Sequence, residues 1–389
     1  MANVLTATPT TNAPTATDDY EPPAVNTRDI EAESVVTPIE RRRLVENDDD
    51  VDSALGLEDD ESDTETLADW ATDYAERHGR RYCPSHYDPK SDKKVKYFLP
   101  NDDIEQDRLD AQHYAFQHAQ DGKLYEAPLN PALLERALDA GTGTGIWAVA
   151  FADKFPGANV FGVDISPIQP NFVPPNLWFE VDDVEKEWNY RLGFDFIHAR
   201  GLSGSIKDGR RFLAQIFESL NVQGWVELSD IVLDTVSDND MLKPGSKIKE
   251  WESHMKDASS RNGRPIDSPA FYEEWMIAEG FCNVTVKTYE LPINEWPTDE
   301  SKKELGRYCF EIVAKHLFAW SAELFIRILG WSEEELTVYL AQVRRAMADE
   351  EVRPKWKLQV VYGQKLGPKL QPKRHSGELN QPPELRSSL

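Results

Sequence analysis

The run Leu138-Asp139-Ala140-Gly141-Thr142-Gly143-Thr144-Gly145 sets an acidic residue just before three glycines at alternate positions. Glycines so spaced let a chain turn sharply and bring its backbone against a ligand with no Cβ in the way. The third glycine comes one residue earlier than in the G-x-G-x-x-G turn of nicotinamide-dependent dehydrogenases, and no Gly-Lys-Ser/Thr follows, so the run is not a P-loop. Asp164 closes the next apolar run, where a carboxylate can accept both hydroxyls of a ribose. With Ile165-Ser166-Pro167 behind it, it can equally cap the turn that it opens. Asp182-Asp183 closes the run after that; one carboxylate there can take a hydrogen bond from an adenine amino group, or the pair can simply cap a loop. Acidic residues ending three successive strands suit a ligand that carries positive charge, such as a sulfonium with an ammonium group.

His198-Ala199-Arg200 ends a fourth run. His198 and Arg200 are placed to face a reacting group, His198 either as a base or as a packed strand histidine. His113, on an upstream helical stretch, is a second candidate base.

These residues need a parallel sheet to hold them. The pattern predicts short strands over 136–139, 160–165, 178–181, 194–199 and 225–228, alternating with helices, the signature of a sheet flanked by helices on both faces. Pro156-Gly157 stops the helix that follows the glycine turn, and Ser268-Pro269 starts another that runs to 278. A helix is expected over 100–120, with Ile104, Leu109 and Phe116 among its apolar positions, preceded by a short extended piece over 95–99. Further on, the pattern gives a strand over 284–291, a helical region over 300–348 and a last strand over 357–363. A strand arriving after so long a helical stretch suits antiparallel pairing at the sheet edge. Phe318, Trp320, Phe325 and Trp331 lie in that helical region, where aromatic residues are more often core than substrate box, although the helices could also cover a pocket.

Of the 389 residues, 40% are hydrophobic and 11 are Trp, enough for a sizeable core. The net charge of −26 is unevenly spread: residues 1–66 carry 18 acidic against 4 basic side chains. Such a segment buries too little apolar surface to offset its ordering entropy, so 1–66 is expected to be a disordered acidic tail, solubilising or docking. Residues 67–366 form the expected folded domain and 367–389 a flexible C-terminal tail. The body is also acidic, which argues against direct nucleic-acid binding. Three cysteines without metal spacing predict no metal site, and the absence of a leader or an eighteen-residue apolar run predicts a soluble chain of the cytoplasm or nucleus, with no membrane contact. Arg41-Arg42-Arg43 and Lys373-Arg374 are too short to establish nuclear import.

Several runs together resemble the fungal LaeA-like methyltransferases, also called TAM-domain or UMTA-type methyltransferases. They include Gly79-Arg80-Arg81-Tyr82, Leu99-Pro100-Asn101-Asp102, Glu105-Gln106-Asp107-Arg108-Leu109-Asp110, the glycine run through Trp147, Asp164-Ile165-Ser166-Pro167-Ile168-Gln169-Pro170, Asp182-Asp183, His198-Ala199-Arg200 and Gly224-Trp225-Val226-Glu227. The resemblance spans nearly all of 69–366. It departs at Asn221-Val222-Gln223-Gly224, which stands where the family usually has a Pro-Gly-Gly ending. The resemblance implies a class I, Rossmann-like fold with a seven-stranded, mostly parallel sheet and a helical insertion before the last strand. It also implies S-adenosylmethionine as cofactor, with Asp139, Gly141, Gly143 and Gly145 around the methionyl part, Asp164 at the ribose and Asp183 at the adenine. Ile165, Asp182 and Arg200 complete the expected cofactor-facing set. Methyl transfer needs mainly alignment, because the sulfonium carbon is already electrophilic, and a base only if the acceptor arrives protonated. The acceptor is left open between a small metabolite and a protein. The competing readings are a regulatory subunit that binds the cofactor but works by association with velvet-type partners, and a dehydrogenase, which the glycine spacing disfavours.

Overall fold

The computed structural model describes residues 74–83 and 97–367. The expected tail over 1–66 and nearly all of the expected tail over 367–389 lie outside the described residues, as do positions 95 and 96 of the extended piece; 97–99 form no regular element. A short antiparallel hairpin, β1 (Ala75–Arg77) and β2 (Arg80–Tyr82), comes first, followed by α1 (Asp103–Ala119). The sheet strands are β3 (Arg136–Ala140), β4 (Asn159–Asp164), β5 (Leu177–Val181), β6 (Phe194–Arg200), β7 (Leu220–Ser237), β8 (Cys282–Pro292) and β9 (Pro354–Gln364). Between them run α2 (Ile146–Lys154), α3 (Gly209–Ser219), α4 (Lys247–Asn262), α5 (Tyr272–Glu279), α6 (Glu300–Ala322) and α7 (Glu333–Met347).

The seven strands lie in the order β5-β4-β3-β6-β7-β9-β8. The first five are mutually parallel; β9 is antiparallel to both of its neighbours. The last strand was expected at the sheet edge and instead lies between β7 and β8, so that its apolar residues Leu358, Val360 and Val361 are buried. Alternate residues of each strand face opposite sides. Leu138, Ile197 and Val226 pack with Phe212, Ile216 and Met276 of α3 and α5, while Ala137, Val160 and Phe196 pack with Trp147, Ala148 and Phe151 of α2.

Strand β7 is far longer than the four residues expected. Its second half extends past the carboxyl edge of the parallel strands, paired to β9 down to Ser237 and Pro354. Leu233 from this extension and Trp356 from the facing part of β9 join α4, α6, α7 and a π-helical stretch, Glu323–Leu329, in a core of their own. Helix α4 has sequence signals that periodicity alone does not weigh: Ser246 accepts a hydrogen bond from Lys249 N, and Gly263 ends the helix in the left-handed region. At the departure from the family pattern, Gln223 takes the left-handed conformation with φ 73° and bonds Lys365 O, and Gly224 follows where a Cβ would crowd Asn221 O and Phe194 O.

Helix α1 does not follow the simple apolar face expected for it. Ile104 is 56% exposed, and the buried side carries Glu105, Arg108 and His113 with Phe116. Glu105 and Arg108 pair at 2.8 Å, which offsets their desolvation. Asp102 caps the helix by accepting from Glu105 N, and both of its oxygens take donors from Arg80 at 2.6 and 2.7 Å. It therefore ties the hairpin to the helix start. Asp102→Ala should lower stability by about 2 kcal/mol through loss of cap and fork together, read as a lower urea midpoint at unchanged m.

Candidate functional site

The carboxyl edge of the parallel strands opens onto a cavity of about 220 Å³. The chain leaves β3 toward β4 on one side and leaves β6 toward β7 on the other, so the gap between β3 and β6 is the topological switch point where open α/β sheets bind ligands. All nine residues of the expected cofactor set except Gly145 line this cavity, and His198 lines it too; His113 does not.

Asp139 crosses the switch point. One of its oxygens accepts from His198 Nδ1 at 2.7 Å and the other from Thr142 Oγ1 at 2.7 Å, in a setting where both Asp139 and His198 are buried. The His198 ring stacks on Trp147 with centroids 3.7 Å apart. Burial pulls the His198 pKa down, against the carboxylate beside it. With Nδ1 facing a carboxylate oxygen as donor, the neutral ring keeps its lone pair on Nε2.

The glycine turn places Gly141, Gly143 and Gly145 at φ 77°, 58° and 80°, the left-handed region that residues with a Cβ disfavour. At Gly145 a Cβ would run into the Phe179 ring, and at Gly141 into Leu202. Asp164 pins the turn: its carboxylate accepts from Gly143 N at 2.8 Å and from Ser166 N at 2.9 Å. Turn cap and cavity residue are thus one role, because each carboxylate oxygen has a second lone pair to offer a ligand. Burial pushes the Asp164 pKa up to about 6, partly countered by these backbone donors. Asp182 accepts from Asp183 N and pairs with the exposed Lys186 at 3.1 Å, and Asp183 accepts from Glu185 N. Both carboxylates therefore shape the loop while lining the cavity.

Arg200 lies one strand beyond, deep against α1. It donates to His113 Nδ1 at 3.0 Å and sits over the Phe116 ring at 5.7 Å. Burial lowers its pKa only to about 10, so it stays charged near neutrality. Because a guanidinium can only donate, Nδ1 of His113 is the acceptor and the ring proton is on Nε2. Burial, then the charge of Arg200, pulls the His113 pKa down to about 3. His113 therefore has no free lone pair for a proton, whereas His198 has one.

Several groups around the turn could not be weighted from residue type. Thr144 donates to Asp110 at 2.6 Å, and Gln169 donates to Gly143 O at 2.7 Å, so two pieces of the runs that carried the resemblance fasten the glycine turn. Arg108, Trp251, Trp320 and Trp356 line the far part of the cavity with Asp230. Asp230 accepts from Tyr272 Oη at 2.8 Å and from Ser203 N, and burial raises its pKa to about 7. Of the four aromatic residues weighed in the helical region, Trp320 reaches the cavity; Phe318, Phe325 and Trp331 belong to the core of the insertion.

A seven-stranded sheet in this order, with an acid-flanked glycine turn at its switch point, defines a Rossmann-like class I methyltransferase fold. The methyltransferase-domain family pattern matches residues 111–286. The methyltransferase pytC of Aspergillus terreus is 35% identical over 333 residues, covering 85% of this chain and 99% of its own. The secondary metabolism regulator laeA of Aspergillus fumigatus is 33% identical over 268 residues, covering 67% and 70%. The chain belongs to the fungal LaeA-like family of S-adenosylmethionine-dependent methyltransferases.

The turn makes a direct prediction. Gly145→Ala should lose about 1–3 kcal/mol of stability, from the left-handed backbone and the collision with Phe179, together with most of the affinity for S-adenosylhomocysteine. Thermal melting and calorimetry on the same sample check both.

Proposed function

We propose that the cavity at the switch point holds S-adenosylmethionine with its adenosyl part over β4 and β5 and its methionyl part at the glycine turn, and that the chain works as an enzyme. The observation that carries this reading is the glycine turn held open by Asp139 and Asp164 with its backbone against the cavity. The residues present suit the cofactor: Asp164 retains lone pairs for ribose hydroxyls, Asp183 stands at the next strand end for the adenine, and the acidic strand ends favour a cationic ligand. When bound, the cofactor supplies a methyl carbon that is already electrophilic and a neutral thioether as leaving group. The chain's own residues orient the partners, keep water out and, through Nε2 of His198, offer one acceptor for a proton. The name of laeA supports a setting in secondary metabolism. A role by association alone is the alternative, and it predicts that a folded Gly143→Asp variant without cofactor affinity keeps its biological effect.

Titration with S-adenosylmethionine and NADH separately tests the reading, with saturable binding of the first, none of the second and weaker binding in Asp164→Ala as the expected result. Binding of neither by folded protein would sink it. The Asp164 carboxyl, raised to about 6 in the free chain, loses its charge as pH falls through that value. Hydroxyl donors prefer the ionised form, so affinity for S-adenosylhomocysteine should drop below pH 6 by up to about tenfold per unit. In Asp164→Asn that segment of the pH profile should be flat.

A further inference from the structure

The cavity is chemically divided along the sheet. Its β5-β4-β3 side is acidic, with Asp182, Asp183, Asp164 and Asp139. Beyond β6 it becomes a largely aromatic chamber, with Asp230 of β7 in its lining, walled by Phe98, Phe116, Trp251, Met255, Trp320 and Trp356, which come from the stretch before α1, from α1, from the helical insertion and from β9. Trp251 is 1% exposed and Trp356 is 4% exposed. Their indole N–H groups are committed, to Ser321 Oγ at 2.9 Å and to Thr235 Oγ1 at 2.8 Å, so they turn ring carbon toward the space.

Two arginines border this chamber, and they differ. Arg108 is neutralised by the buried Glu105 and also donates to Gln112. Arg200 has no carboxylate within ion-pair distance among the described residues; its hydrogen bond goes to the neutral ring of His113. Asp139, Asp230 and Glu227 act on it only from beyond that distance, so the guanidinium, at the boundary between the acidic cofactor end and an aromatic chamber, has donors left for an oxygen anion in direct contact.

Resting on the cofactor reading above, we propose that the methyl acceptor is a planar aromatic or conjugated small molecule bearing an acidic hydroxyl, a phenol or enol, stacked in this chamber with its oxygen on Arg200. Arg200 favours the ionised hydroxyl, whose proton passes to solvent. The oxygen's electron pair then forms the O–CH3 bond as the C–S bond of the cofactor breaks, with that bond's pair going to sulfur. The products are a neutral ether and S-adenosylhomocysteine. A peptide acceptor fits poorly, because the aromatic walls offer few partners for backbone amides.

The test uses 4-nitrophenol, whose ionised form alone absorbs in the visible, with full-length protein saturated with S-adenosylhomocysteine. At a pH where the free phenol is mostly protonated, the phenolate band should grow saturably, corresponding to a roughly tenfold or larger shift in its ionisation ratio. Arg200→Gln should abolish that shift and Arg200→Lys should restore part of it, in protein shown by calorimetry to bind S-adenosylhomocysteine. Ile266→Trp, which adds bulk to the lining of the same cavity, should remove the phenolate band and leave the cofactor titration intact. A phenolate band absent from protein shown to bind S-adenosylhomocysteine overturns the acceptor assignment and leaves the cofactor reading standing. So does a tenfold or larger loss of S-adenosylhomocysteine affinity in Arg200→Gln, which would place the guanidinium on the cofactor. Failure of S-adenosylhomocysteine itself to bind overturns both.

Discussion

Asp139 holds two donors at once, Thr142 Oγ1 from the turn that follows its own strand and His198 Nδ1 from the neighbouring strand, each at 2.7 Å. A carboxylate so deeply buried is tolerable only when its lone pairs are met, and here they are met by groups that must themselves be placed: the turn must fold back and β6 must lie beside β3 in register. The register pairs Asp139 with His198 directly. One buried charge therefore couples the shape of the glycine turn to the order of the sheet at the switch point. Trp147 completes the arrangement by covering the imidazole with its ring and donating its own N–H to Leu124 O.

The same logic recurs one strand to either side of the Asp139–His198 pair. Glu227, on β7 and on the same face as His198, is buried and accepts from the backbone N–H groups of Glu126 and Ala127, which fixes the chain just before β3. Burial raises its pKa to about 7. Asp164 does for the turn backbone what Asp139 does for its side chains. Buried acids thus serve as fasteners for the loops, and the cationic character expected of the ligand is the other half of their electrostatic balance. No helix among the described residues is long and apolar enough to cross a membrane.

The helical insertion divides the labour. The parallel half of the sheet carries the acids, while the extension of β7 and β9 past the carboxyl edge carries Leu233 and Trp356 out to meet α4 and α6. Trp251 and Trp320 reach the cavity only because those helices pack back over the edge. The chamber is a product of packing between elements more than a hundred residues apart in sequence for β7 and β9.

The glycine turn, the acids at successive strand ends, the alternation of strand and helix and the family were legible in the sequence, because each rests on local chemistry: left-handed backbone needs glycine, and period-two apolar runs need a sheet. The place of the last strand between β7 and β8, the polar buried face of α1 and the length of β7 were not, since each depends on a distant partner that supplies the burial or the counter-charge. The two histidines make the same point. The sequence put His198, at a strand end, ahead of His113 on the upstream helix; the tertiary structure set Arg200 against His113 Nδ1 and Asp139 against His198 Nδ1, and so decided which ring keeps a free lone pair.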